Sequence, residues 1–187
     1  MEPMSRVQVL AAMGVTALVL LVVAKIWLHF DSAGLLPLHF SAQDGLIGLG
    51  LGLGITLASA LVYQLWPAYH KSADTYLELV LRPLYWPDLL WLGLLPGLSE
   101  ELLFRGVMLP AIGLTWLGIV VSGASFGVLH LSGLQQWTYA VWAMAIGMVL
   151  AMGAVVTGNL LVPVLAHVVT NIISSLVWKF RQRHRPA

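Results

Sequence analysis

The sequence contains no cysteine. Disulfides, thiolate nucleophiles, zinc–cysteine sites and iron–sulfur clusters are therefore excluded. Charge is almost as scarce. Asp, Glu, Lys and Arg together make up 9% of the 187 residues, where a soluble domain carries roughly 25%. The only basic cluster is the short C-terminal stretch KFRQRHR, so nucleic acid is not among the expected partners. In place of charge the chain has long apolar runs, with hydrophobic residues at 59%. That balance belongs to a polytopic membrane protein.

Arg6 followed by VQVLAAMGVTALVLLVVA has the order of a secretory signal. The apolar run exceeds a typical h-region and continues through Lys25, Ile26 and Trp27 without a small-residue cleavage site, so it reads as a retained first span. A span needs about 20 predominantly apolar residues. Candidates fall at 7–28, 43–66, 88–110, 114–131, 136–157 and 159–178. The expected fold is all-α, a membrane helix bundle of about six transmembrane helices. Tyr76, Leu77, Val80, Leu81 and Leu84 recur at helical intervals, interrupted by Lys71, Asp74, Glu78 and Arg82. This predicts a short amphipathic helix in the interface, with Tyr85 and Trp86 at headgroup depth. In the second span, Gly50, Gly54 and Ala58 stand at the small-xxx-small spacing that lets helix backbones approach closely in lipid.

Six crossings put both termini and the 67–87 loop on one side, which then holds Arg6, Lys71, Arg82, Lys179, Arg181, Arg183 and Arg185. Only Lys25 and Arg105 fall elsewhere, so the positive-inside rule places both termini in the cytoplasm or its equivalent. The chain divides into two N-terminal spans plus the interfacial segment (1–87), a four-span core (88–179) and a basic cytoplasmic tail (180–187).

The core carries the chemistry. In PGLSEELLFRG, two adjacent glutamates and an arginine interrupt membrane helix. Residues four apart on a helix share a face, so Glu101 and Arg105 are placed to pair, with the glutamate on the favourable N-terminal side. Glu100, turned about 100° away, is left without that partner. Ionisable residues inside a membrane are functional candidates by default. Phe126 and His130 in SFGVLH, and His167 and Asn171 in AHVVTN, repeat the four-residue spacing. Pro96 and Pro163 each precede a motif by one turn and can bend the helix there. His29, His39, His70 and His184 fall in loops, span ends or the tail and read as solvated or interfacial.

EELLFR, FGVLH and HVVTN, in this order, resemble the EExxxR, FxxxH and HxxxN signatures of the CPBP (CAAX protease and bacteriocin-processing, or ABI) intramembrane proteases. The likeness runs from about Asp88 to Trp178, and PGLSEELLFRGVMLPAIG and GVLHLSGLQQW look most similar to cyanobacterial and plastid members. The resemblance implies that Glu100 and His130 activate a water molecule and that His167 and Asn171 stabilise the oxyanion, with Glu101, Arg105 and Phe126 in support. The expected activity is endopeptidase cleavage of a membrane-associated protein or peptide, in an inner or thylakoid membrane.

No cofactor is expected for glutamate-type chemistry. Zinc is the alternative: Glu100, His130 and His167 make a His₂Glu donor set, although HExxH is absent. Two other functions compete, a non-catalytic binding, immunity or scaffold protein and a haem-ligating or proton-relaying membrane protein.

Overall fold

The structure, a computed structural model, describes residues 4–183. His184 and Arg185 of the expected tail lie outside the described residues. The elements are α1 (Arg6–Phe30), α2 (Ala42–Leu65), α3 (Pro67–Leu81), α4 (Asp88–Glu101), a π-helical stretch (Leu102–Met108), α5 (Leu109–Ile112), α6 (Trp116–Leu129), a 3-10 turn (Leu134–Gln136), α7 (Trp137–Thr157) and α8 (Leu161–Arg183). No strand occurs among the described residues.

Local chemistry sets these boundaries. Ser5 and Gln8 form a reciprocal capping box at the start of α1, and Ser41 caps α2 through Asp44 N. Pro67 opens α3, where its missing N–H costs nothing. Gly158 ends α7 in the left-handed region at φ 63, a conformation open to a residue without a Cβ.

The expected all-helical membrane bundle is what forms. Among the described residues, four helices are long and apolar enough to cross a membrane: Arg6–Phe30, Ala42–Leu65, Leu134–Thr157 and Leu161–Arg183. The span expected at 88–110 is helical from 88 to 112 but passes through the π-helical stretch. The span expected at 114–131 contracts to α6, 14 residues long. At 1.5 Å per residue that helix is about 21 Å long, short of a hydrocarbon core of about 30 Å. Thr115, whose side chain accepts from Gly118 N, starts it, and it ends at His130.

A helix forms in the segment between the second and third expected spans, as α3. On α3, Tyr69, Ser72, Ala73 and Leu81 are buried against the bundle. Outer positions of the long helices carry apolar side chains, among them Val15, Leu18, Leu57 and Leu61, all more than half exposed. In a bilayer that is the lipid-facing surface.

Helix α8 is gripped from two sides. A Cβ added at Gly48 or Gly52 of α2 would stand 3.0 Å from Val162 O or 2.7 Å from Ala166 O. One added at Gly93 or Gly97 of α4 would stand 2.4 Å from Ile172 Cγ1 or 2.5 Å from Val168 Cγ2. Lipid supplies no hydrophobic drive between helices, so such close approach is what holds them together. The expected stripe of Gly50, Gly54 and Ala58 is corrected here: nothing lies within 4 Å of a Cβ at Gly50 or Gly54. The glycine alternation creates two interleaved stripes on opposite faces, and α8 packs on the other one.

Several polar contacts gather one end of the bundle. Arg6 Nε and Nη2 donate to the two carboxylate oxygens of Asp88, both at 2.7 Å, and Asp88 also accepts from Tyr85 N. Lys179 of α8 donates to the Leu84 carbonyl just after α3. The start of α1, the start of α4 and the end of α8 therefore share an end, which is also where the basic residues collect.

Gly52→Val is expected to lower the unfolding midpoint in detergent, since overpacking of this kind costs about 1–3 kcal/mol. Gly50→Val, two residues away and facing open space, leaves the midpoint unchanged or raises it.

Candidate active site

The motif residues meet where α4, α6 and α8 converge. Pro96 lies inside α4, one turn before Glu100. Pro163 lies in the first turn of α8, where its missing N–H breaks no internal bond. The expectation of a bend there is thus corrected; Pro163 serves helix initiation.

Directly after Glu101 the helix widens to π geometry, with Leu109 N bonding to Phe104 O. Such a bulge is uncommon and often marks a functional site. Here it turns backbone carbonyls outward. Phe104 O also accepts from Ser122 Oγ of α6 at 3.1 Å, and Gly106 O accepts from Leu36 N at 2.8 Å. The stretch that carries Arg105 is thereby tied to α6 and to the 31–41 connection.

Glu101 and Arg105 are both 0% exposed and pair at 2.8 Å, as their spacing predicts. Arg105 Nη2 also donates to Gly147 O of α7 at 2.7 Å. Its guanidinium lies 4.5 Å from the centroid of the Phe126 ring, a cation–π contact that gains strength away from water. Phe126 in turn lies 4.5 Å from the His130 ring and 5.6 Å from the His167 ring. One aromatic side chain therefore seats the arginine and both histidines.

Each histidine faces a different glutamate. His130 Nε2 stands 3.9 Å from Glu100 Oε2, with Glu100 12% and His130 18% exposed. The other ring nitrogen, Nδ1, is 2.9 Å from Phe126 O. His167 Nδ1 is 2.7 Å from Glu101 Oε1, the same oxygen that accepts from Arg105. Glu100 Oε2 is buried and has no hydrogen-bond partner within the chain. Asn171, one turn beyond His167 on α8, lines the same cavity as Glu100, Phe126, His130 and His167. The cavity has a volume of about 440 Å³. Its α1 and α3 walls are largely apolar, with Met13, Ala17, Leu77 and Val80 among the lining.

Three features escape sequence reasoning. Gly147 is one: an added Cβ would stand 3.1 Å from Arg105 Nη2 and 3.0 Å from Gly123 Cα, so a larger residue would displace the arginine. Tyr139 of α7 is another, its ring 6.3 Å from His130 and stacked on Tyr76 of α3 at 4.5 Å, which seats α3 beside the cavity. The third is the contact between His167 and Glu101. Ser99, adjacent to Glu100, donates its hydroxyl back to Leu95 O at 2.7 Å and is not poised as a nucleophile. His29, His39 and His70 lie outside the cavity lining.

Among the described residues no group of three or more His, Cys, Asp or Glu side chains is placed to hold a metal ion. His167 Nδ1 is engaged by Glu101 Oε1, while Glu100 faces His130.

Arg105→Met should destabilise the protein by about 3–5 kcal/mol, because Glu101 then loses its guanidinium partner in the interior. Adding Glu101→Leu should recover part of that loss, a non-additivity that a thermal-shift double-mutant cycle measures directly.

Residues 82–173 match the family model described as "Rce1-like: Type II CAAX prenyl endopeptidase Rce1-like". The uncharacterized protein YpbD of Bacillus subtilis (strain 168) is 28% identical over 138 residues, which cover 74% of this chain and 70% of that protein. No solved structure matches the chain. The matched segment holds Glu100, Glu101, Arg105, Phe126, His130, His167 and Asn171.

Proposed function

We propose that this protein is an intramembrane endopeptidase that hydrolyses a peptide bond in a membrane-associated protein or peptide. The observation that carries the reading is the face-to-face pair of Glu100 and His130, 3.9 Å apart on a cavity inside an apolar bundle. Phe126 O can only accept a hydrogen bond, so the proton of a neutral His130 sits on Nδ1 and Nε2 presents a lone pair. Glu100 Oε2 is likewise an acceptor. Two acceptors across a gap of this length are bridged by a water that donates one hydrogen to each.

A water held by both hydrogens has its oxygen lone pairs free to attack. As the oxygen bonds to the scissile carbonyl carbon, Glu100 takes one proton as general base. The carbonyl oxygen gains negative charge, and the groups on α8 offered to it are the Asn171 amide N–H and, when the ring carries a second proton, the His167 Nε2–H. Collapse breaks the carbon–nitrogen bond, and the proton held by Glu100 passes to the leaving amine. No step in this scheme passes through a metal ion or an acyl-enzyme.

The substrate class follows from the family description and from the apolar walls of the cavity, which suit a segment already resident in the bilayer. The basic end of the bundle, with Arg6, Arg82, Lys179 and Arg181, is proposed to face the cytoplasm. The likeness to cyanobacterial and plastid members makes the inner or thylakoid membrane the proposed site of action.

Glu100→Gln and His130→Ala should each reduce cleavage by about 10²–10⁴-fold while expression and membrane insertion persist. The assay is a comparison of new C-termini in membranes with and without active protein. Full cellular function of Glu100→Gln would point instead to a binding or scaffold role. A strong chelator should leave cleavage intact; loss of activity restored by zinc would overturn the metal-free scheme.

A further inference from the structure

The two histidines of the cavity are held by different kinds of partner. His130 Nδ1 faces a backbone carbonyl, Phe126 O, at 2.9 Å, whereas His167 Nδ1 faces a carboxylate oxygen, Glu101 Oε1, at 2.7 Å. Glu101 is buried beside Arg105, whose Nη1 donates to the same oxygen at 2.8 Å. A guanidinium N–H can only donate, so Glu101 Oε1 is an acceptor toward Arg105, and the same oxygen faces His167. The hydrogen of the short His167–Glu101 contact therefore belongs to the imidazole, on Nδ1. Nε2, across the ring, is the nitrogen left for the cavity that His167 lines.

We propose that Glu101 is a positioning residue for His167: it holds the ring proton on Nδ1, so that a singly protonated His167 meets the substrate with a lone pair on Nε2. An imidazole in this form accepts a hydrogen bond and has none to donate. Asn171, one turn away on α8, is then the side chain with a neutral N–H for the developing oxyanion, and His167 donates only after it has gained a second proton. Two chemically identical side chains on one cavity thus acquire different roles from what lies behind them.

Other groups near His167 do not supply this control. Glu100 and Arg105 come from the α4 segment, His130 from α6 and Tyr139 from α7, and no hydrogen bond joins any of them to the His167 ring. The ring of Phe126 meets His167 edge-on at 5.6 Å and has no acceptor atom. Where a carboxylate backs a metal-ligating histidine it fixes the tautomer and orientation of the ring, and its removal commonly costs about 10–100-fold in metal affinity or activity.

The inference rests on the endopeptidase reading for its consequence, and not for its test. Protein labelled with ¹⁵N-histidine in lipid nanodiscs is examined at a pH where the His167 ring carries one proton. Nδ1 should appear protonated and Nε2 bare, with His167→Gln assigning the resonances. A single proton on Nε2 overturns the proposal whatever the protein cleaves. In Glu101→Gln the amide can either accept or donate, so the proton should redistribute toward Nε2, and kcat should fall about 10–100-fold with KM within twofold. An unchanged tautomer in that variant shows that Glu101 does not set it. If Glu101→Gln fails to fold, the wild-type spectrum still decides. Absence of proteolysis alongside the Nδ1 tautomer would count against the function and leave the role of Glu101 standing.

Discussion

A guanidinium with no water around it governs the arrangement of this bundle. Arg105 is completely buried, and every partner it has must be protein. Glu101 neutralises it from one turn back, Gly147 O takes a second N–H, and Phe126 lies under its plane. These contacts come from the α4 segment, α7 and α6, so satisfying one charge fixes the relative setting of three helices. The satisfaction is incomplete, because Arg105 Nε and Glu101 Oε2 have no hydrogen-bond partner in the chain. A buried pair of this kind is weak evidence for net stability against an apolar replacement. Its presence is better explained by what it positions, since the oxygen that holds Arg105 also holds His167.

Local patterns were legible in the sequence, and choices between faces were not. Helix existence, α3 included, and the i, i+4 pairing of Glu101 with Arg105 follow from periodicity alone. Glycine at alternate positions from 48 to 54 offers two backbone grooves, and nothing within α2 says which one a partner will use. The answer lies in α8, where the backbone at Val162 and Ala166 comes within reach of Gly48 and Gly52. The contraction of α6 has a similar origin. Apolarity continues past both of its ends, so hydropathy reads on, while capping by Thr115 and the break at His130 decide the length.

The site divides along the same line. Its members could be picked out, because polar residues in lipid stand out and these come at helical spacing. Their partners could not, because contacts between helices depend on rotation and depth. The pairing of His167 with Glu101 depends on α8 lying against α4 at Gly93 and Gly97, where a side chain would force the two helices apart. Gly147 and Tyr139 carry no motif at all. One matters through space it leaves empty, the other through a stacked ring from an element more than sixty residues earlier, Tyr76.

The distribution of charge explains why only one carboxylate faces an open task. Glu101 and Arg105 cancel each other within the wall of the cavity. Glu100 lies on the neighbouring face of the same helix, outside that pair, with Oε2 buried and unpartnered. In a bundle coated by lipid, a carboxyl in this position must find a proton, a water or a polar substrate. The facing lone pair of His130 narrows the choice, since a second acceptor repels another acceptor and welcomes a molecule with two hydrogens to give. In the proposed mechanism, the cost of leaving Glu100 unsatisfied is what draws water to a place where the surrounding helices otherwise exclude it. A bundle that satisfied both glutamates equally well would be more stable, and it would have no reason to admit the reactant.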